Sequence, residues 1–316
     1  MLAYAVRRLP LALLVVWLAS VLVFFGSRLV PGDPASVLAG ADATPAVISA
    51  INNEIGLDQP LPVQYLKWLG GLVTGRLGHS YILGTDIGPL ILRGASNTLE
   101  LAVAALILAV VLGFAVGTYG ALRDTSSAQA VVTGYATIGF GIPNYVTGVL
   151  MLLVFAVILR VLPVGGNPTP FLENPELGIQ YLIMPAFVLA LPLSAVLSRF
   201  LMTSLRQVME EDYIRMAIAK GVPKRRVVLR HGLPNALPPV LTILGLQIAG
   251  LLGGAVIIEQ IFNWPGVGRL LLQAVQRHDY LIVQDLAFFS VIIFVAVQIL
   301  TDITNAALDP RVNLNR

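Results

Sequence analysis

Six stretches of this chain run for 16 to 35 residues without a single Asp, Glu, Lys or Arg: Leu9–Ser27, Leu101–Leu122, Thr125–Leu159, Leu177–Ser198, Gly232–Ile258 and Leu286–Thr301. A bilayer core of about 30 Å is crossed by about 20 apolar residues in helical form, and only helices or closed barrels satisfy their backbone groups there. Runs of this length therefore predict a polytopic all-α membrane protein. The composition agrees, with 57% hydrophobic and 12% charged residues, where an ordinary soluble domain carries about 25% charge. Zero cysteines exclude a disulfide scaffold, a thiolate metal site and a cysteine nucleophile. A net charge of +3 is too slight an excess to suggest nucleic acid.

The third run is the longest, but its first part holds Ser126, Ser127, Gln129 and Thr133, and Pro143 interrupts it, so one span is expected near Thr137–Leu162. The sixth, Leu286–Thr301, is short; it spans only if Asp285 and Asp302 lie near its ends or face protein rather than lipid. The first follows Arg7 and Arg8 as the apolar part of a signal peptide does, yet its length favours an uncleaved first helix. Six spans result.

Short loops rich in Lys and Arg stay in the cytoplasm. Segment 202–236 carries seven basic residues against three acids, so it is expected inside. With an even number of spans, both termini are inside too. Segment 163–180 has Glu173 and Glu176 and no basic residue, and 31–97 has five acids against three bases, so both are expected outside. The outside segment after the first helix divides the chain into 1–97 and a core of five spans in 98–316. Within it, 46–55 and 61–72 read as short helices at the membrane surface, with Tyr65 and Trp68 suited to the headgroup level.

Several chemistries are missing. The dipeptide Gly-Lys occurs nowhere, so no phosphate cradle of the G-x-x-x-x-G-K-[ST] kind is present. His79, His231 and His278 do not stand at zinc-ligand spacing, and there is no H-E-x-x-H or G-x-S-x-G. Glu100, Arg160, Glu259 and Asp302 fall near span ends, where interfacial anchoring is the ordinary reading, rather than at the midplane positions of an ion-coupled carrier.

The most ordered inside segment is 206–238. Glu210, Glu211 and Asp212 bring negative charge to a helix start, Lys220 brings positive charge to its end, Gly221 suits a left-handed cap and Pro223 forbids continuation. A short helix over 212–220 follows. It either rests on anionic lipid through Lys224, Arg225 and Arg226, or enters a groove on another protein, which the small residues Ala217, Ala219 and Gly221 favour.

These residues resemble a known family. Arg215-Met216-Ala217, then Gly221, then Leu233-Pro234 look like the E-A-A-x3-G-x9-I-x-L-P signature of permease subunits of binding-protein-dependent ABC importers. The departures are Arg215 for Glu, Met216 for Ala and His231 for Ile. The peptide branch of the family, with D-Y-[IV]-R-x-A-x-A-K-G and R-H, is matched by Asp212-Tyr213-Ile214-Arg215, Ala217, Ala219-Lys220-Gly221 and Arg230-His231. Pro31-Gly32-Asp33-Pro34, Thr98-Leu99-Glu100, Met184-Pro185-Ala186, Glu259-Gln260-Ile261-Phe262, Trp264-Pro265-Gly266 and Leu308-Asp309-Pro310-Arg311 extend the likeness to the first permease of dipeptide, oligopeptide and nickel importers.

The resemblance implies a MetI-like fold of six transmembrane helices with a long extracytoplasmic loop after the first and a cytoplasmic coupling helix at 212–221. It implies a place in the cytoplasmic (inner) membrane and a pore shared with a second, homologous permease as a heterodimer. It further implies two cytoplasmic ATPase subunits, which bind ATP and magnesium, and an extracytoplasmic solute-binding protein. The chain itself is then not an enzyme and holds no cofactor or metal. Coupling to the ATPase falls on Asp212, Tyr213, Arg215, Ala217, Ala219, Lys220, Gly221, Leu233 and Pro234. Pore or gate candidates are Pro143, Gly139, Gly141, Gly250, Gly253 and Gly254, although close helix packing is the ordinary use of such glycines. Binding-protein docking and the outer gate fall on Asp33, Glu259, Phe262, Trp264 and Gly266, the aromatic ones serving equally as interface anchors. Against this stand a stand-alone secondary transporter or channel, and a membrane scaffold without transport.

Overall fold

The computed structural model describes residues 2–29, 43–80, 82–123, 125–166, 171 and 173–308. Helix dominates. In chain order the elements are α1 (Leu2–Leu29), α2 (Pro45–Ile55), α3 (Leu61–Thr74), a hairpin of β1 (His79–Ser80) with β2 (Thr85–Asp86), α4 (Ile87–Leu122), α5 (Ser126–Gly141) and α6 (Asn144–Met151), which continues as a π turn through Ile158. Then come α7 (Pro175–Met209), α8 (Asp212–Ala219), α9 (Lys224–Val227), a π turn over Val228–Gly232, α10 (Leu233–Ile261), α11 (Val267–Gln276) and α12 (Tyr280–Leu308). The residues gather into two compact units, one built on Thr98–Trp264, the other on Val6–Asn97 with Pro265–Ala296.

Among the described residues four helices are long and apolar enough to cross a bilayer by themselves: Leu9–Leu29, Ile87–Leu122, Pro175–Met209 and Tyr280–Ile299. Two further pairs qualify only as bent spans, α5 with α6 and its π turn, bent by 97°, and Lys224–Ile248 with Gly253–Ile261, bent by 59°. The single span expected over Thr137–Leu162 is thus replaced by two helices that start eleven residues earlier and meet at a sharp corner. Pro143 is the cause, since it offers no N–H to the preceding turn and holds Ile142 extended at φ −100° and ψ 118°. The earlier start is licensed by Thr125, whose hydroxyl accepts from Ala128 N at 3.3 Å as an N-cap. The second span also starts earlier than expected. At 36 residues α4 is about 54 Å long, well beyond the hydrocarbon thickness of about 30 Å.

In the Thr98–Trp264 unit α7 is the centre. Of its apolar window 72% is buried, against 22% for α4, and α10, α5 and α6 pack on it. Asn174 caps its start by accepting from Leu177 N at 3.1 Å, with Glu176 in the first turn and Arg206 in the last, both matched to the helix dipole. The core joins Leu193, Leu197 and Leu201 of α7 to Leu101 and Ala105 of α4 and to Val240, Ala255 and Ile258 of α10. Small residues set the spacing, as membrane helices require where apolar burial gives no drive. A Cβ on Gly117 of α4 would stand 2.7 Å from the Ser198 carbonyl, and one on Gly139 of α5 2.6 Å from Ala195 Cβ. Gly117→Leu is therefore expected to force α4 off α7 and destabilise the protein by at least the ~1–3 kcal/mol typical of overpacking. Gly134→Leu, where a Cβ meets nothing within 4 Å, is the control. Thermal unfolding in detergent checks both, and equal melting of the two variants contradicts the packing assignment.

In the other unit, Ile87, Ile91, Ala274, Ile282 and Leu286 form a separate core. Tyr65 and Trp68, expected at the headgroup level, are packed against neighbouring helices. Both rings pack on Phe24, with centroids at 5.3 and 5.8 Å, and Trp68 also meets Phe288 at 5.5 Å. Tyr65 Oη lies 2.8 Å from Ser20 Oγ. An aromatic ring with one polar atom is well suited to this use, because its body fills a helix junction while its N–H or O–H meets a buried acceptor. Here that acceptor is Asp285, which takes the Trp68 Nε1 hydrogen at 2.7 Å. Asp285 thus faces protein, and the sixth apolar run becomes a helix starting at Tyr280.

Candidate functional site

The segment 204–235 is the best-defined polar construction in the Thr98–Trp264 unit. Arg206 Nη2 donates to Gly120 O at 2.8 Å, tying the end of α7 to the end of α4, and Ser204 Oγ donates to Ala236 O at 2.9 Å, tying α7 to α10. Between these ties the chain makes α8. Its start carries Asp212, and it ends in a full left-handed cap: Gly221, at φ +79°, donates to Ile218 O at 2.9 Å, and Val222 N donates to Ala217 O at 3.2 Å. Those two bonds are the Schellman pair, satisfying carbonyls that a two-turn helix would otherwise leave open. Pro223 then begins α9, which runs on into α10.

One residue anchors α8. Ile214 is fully buried, while Tyr213, Met216 and Ile218 are 44%, 57% and 49% exposed, so the helix is pinned on α7 and α9, with Tyr213 and Met216 open on one side and Ile218 on another. Ala217 is half-buried, and Ala219, Lys220 and Gly221 are exposed. The Asp212–Arg215 contact, 4.0 Å between well-exposed groups, contributes next to nothing. Leu233 and Pro234 open α10 beyond the π turn. Gly232 lies under α7, where a Cβ would come within 3.1 Å of Leu205 Cδ1. The coupling residues named from sequence are therefore grouped in one continuous piece. The helical spacing places Tyr213, Met216, Ala217 and Lys220 on one face and Ile214 with Ile218 on another; the structure buries Ile214 and leaves Ile218 half exposed.

The glycines expected at the pore separate into two sorts. Gly139 is buried against Leu191 and Ala195, and Gly254 faces Asn144 and Leu189, whereas a Cβ on Gly141, Gly250 or Gly253 would meet nothing within 4 Å. Gly139 is thus a packing glycine, and Pro143 makes the corner already described.

The expected docking residues behave differently from the expectation. Asp33 lies outside the described residues. Glu259, Phe262 and Trp264 are 0%, 1% and 1% exposed, so their side chains hold a loop in shape rather than present it to a partner or to headgroups. Thr98 Oγ1 donates to Glu259 Oε1 at 2.6 Å, and Trp264 N donates to Glu259 O at 2.8 Å. Phe262 O accepts from Gly166 N at 2.8 Å, an approach so close that a Cβ on Gly165, at φ +153°, would lie 2.0 Å from that oxygen. Turn residues flanking an apolar run look alike in sequence whether they face solvent or core, which is why their burial was not legible. In the other unit, Gly266 is buried at the start of α11, and Asn97 Nδ2 donates to Pro265 O at 2.9 Å.

A second polar network was missed in the sequence. Arg28 Nη2 donates to Gln64 Oε1 at 2.6 Å and Nη1 to Gln284 Oε1 at 3.2 Å, with its guanidinium 3.9 Å over the Phe24 ring. The available signal was a charge at each end of two apolar runs, Arg28 after the first and Asp285 before the last. Among the described residues no cluster of three His, Cys, Asp or Glu side chains is placed to hold a metal ion.

Comparison with known proteins places this geometry. Residues 109–314 match the family model described as binding-protein-dependent transport system inner membrane component, and residues 1–86 match the N-terminal model of the same systems. The chain is 37% identical over 314 residues to the oligopeptide transport system permease protein AppB of Bacillus subtilis, covering 99% of each. It is 36% identical over 313 residues to the glutathione transport system permease protein GsiC of Escherichia coli K12, again 99% of each. A probable peptide ABC transporter permease of Sinorhizobium fredii is 34% identical over 309 residues, 98% of each. Among solved structures, two crystal forms of the MetNI methionine ABC transporter, inward facing, share the fold. Their TM-scores are 0.53 and 0.55 at 19% and 18% identity, covering 70% of this chain and 96% of theirs.

Proposed function

The chain belongs to the family of binding-protein-dependent transport system inner membrane components, and on that premise we propose how it works as the permease subunit of an ABC importer. It forms half of a translocation path completed by a second, related permease, and it moves short peptides or peptide-like solutes such as those named for its relatives. Each bent helix pair counts as one crossing, which gives six. The basic segment 202–236 then lies in the cytoplasm with both termini, and 43–86 lies outside, towards a solute-binding protein.

The observation that carries the coupling reading is α8, a two-turn helix closed at its end by Gly221, pinned by Ile214 and leaving Tyr213 and Met216, at i, i+3 spacing, exposed on one side. An apolar face of that kind fits a groove on another protein, here an ATPase subunit. Because α7, α4 and α10 are tied to the same segment through Arg206 and Ser204, a push on α8 reaches helices of the transport path without a floppy link. Arg215 and Lys220, both exposed, add the charge complementarity that selects the partner.

Tyr213→Asp combined with Met216→Asp tests this. Both positions are exposed, so insertion and fold are expected to persist while the ATPase subunits no longer co-purify and substrate-stimulated ATP hydrolysis falls at least tenfold. Co-purification and turnover at the wild-type level would reject the coupling role. Transport by the chain alone in liposomes, without ATPase, would favour a stand-alone carrier instead.

A further inference from the structure

Within the unit of Val6–Asn97 and Pro265–Ala296 there is a cleft of about 360 Å³ bordered by Gln59, Gln64, Trp68 and Asp285, with Lys67 and Arg76 at its exposed rim. Asp285 is 1% exposed. Its Oδ1 accepts from Trp68, but its Oδ2 is buried with no hydrogen-bond partner, and Gln59 Oε1 is buried and bare as well. Such acceptors normally find donors, because one left open keeps the full cost of its desolvation. Two of them on one cleft suit a group with several N–H donors. The internal cation does not supply it, since Arg28 is occupied by Gln64, Gln284 and the Phe24 ring.

A primary ammonium has three donors and a charge opposite to Asp285, and the indole of Trp68 is a favourable neighbour for it. Lys67 and Arg76 make no ion pair among the described residues. They would repel a bare cation and attract an anion attached to it. We propose that this cleft binds a primary ammonium linked through a few bonds to an anionic group, the ammonium on Asp285 Oδ2 and Gln59 Oε1, the anion at Lys67 and Arg76. A free amino acid or short peptide has this chemistry, and so does the headgroup of phosphatidylethanolamine.

Two arms separate those sources. In the first, the full chain in phosphatidylcholine nanodiscs, whose quaternary ammonium has no N–H, is titrated calorimetrically with alanyl-alanine and with N-acetyl-alanyl-alanine. In the second, phosphatidylethanolamine is added as a minor lipid and its retention is counted by native mass spectrometry. Saturable binding is expected in at least one arm, weakened at least tenfold by Asp285→Asn and by the double variant Lys67→Ala with Arg76→Ala, and absent for the acetylated peptide. Because the rim pair is exposed, that variant decides the matter even where the Asp285 variant fails to insert. Binding in neither arm, or binding indifferent to acetylation or to the rim variant, overturns the proposal and leaves water as the content of the cleft. No nucleotide or ATPase takes part, so the outcome is independent of the transport reading.

Discussion

Gly221→Pro is expected to leave the chain inserted in the membrane and to abolish substrate-stimulated ATP hydrolysis in the assembled transporter. Proline holds φ near −65°, whereas Gly221 sits at φ +79° and its N–H is half of the cap that ends α8. Both features are lost together, and the two-turn helix loses its fixed end. A graded series separates conformation from contact. Nothing lies within 4 Å of a Cβ at this position, so Gly221→Ala suffers only the left-handed penalty of about 1–2 kcal/mol, and Gly221→Asn, which tolerates that region, suffers less. Coupled ATPase rates are expected to fall in the order Gly, Asn, Ala, Pro. Wild-type turnover in the proline variant would mean that α8 does not transmit the stroke.

The second large effect concerns Glu259. Its carboxylate is wholly buried and accepts from Thr98 Oγ1, while its backbone carbonyl closes the turn to Trp264. Glu259→Leu removes the hydrogen bond donated by the half-buried Thr98 hydroxyl, together with the polar end that holds the loop, a loss of about 1–3 kcal/mol. Glu259→Gln keeps the length and one acceptor oxygen and is expected to lose less than half as much. The readout is the melting temperature of the detergent-solubilised protein, with transport measured separately. Were Glu259→Leu as stable as the parent while losing transport, the residue would be acting at the gate rather than holding the loop.

Part of this was legible from residues alone. Uncharged runs announce membrane helices because charge in hydrocarbon is so costly that its absence is itself a pattern. The α8 boundaries were equally open to reading, since Asp212, Gly221 and Pro223 each act on their own backbone neighbourhood. The interruption at Pro143 was legible, but its 97° angle was not, because proline removes a bond locally and the neighbours decide how far the helix then turns. The sense of the turn-rich loops escaped entirely. Glu259, Phe262 and Trp264 have the composition of an exposed interfacial loop and the burial of a core.

What the sequence determined by itself was the local and the compositional: that apolar helices of membrane length recur along the chain, where α8 starts and stops, and the family to which the chain belongs. Which side chains those helices hide was decided only by tertiary structure. Burial is a property of pairs of segments far apart in the chain: Thr98 with Glu259, Gly117 with Ser198, and Trp68 with Asp285. In an apolar chain hydrophobicity cannot mark the inside, because lipid is as apolar as the core. Small residues and polar bonds between distant helices make that choice instead.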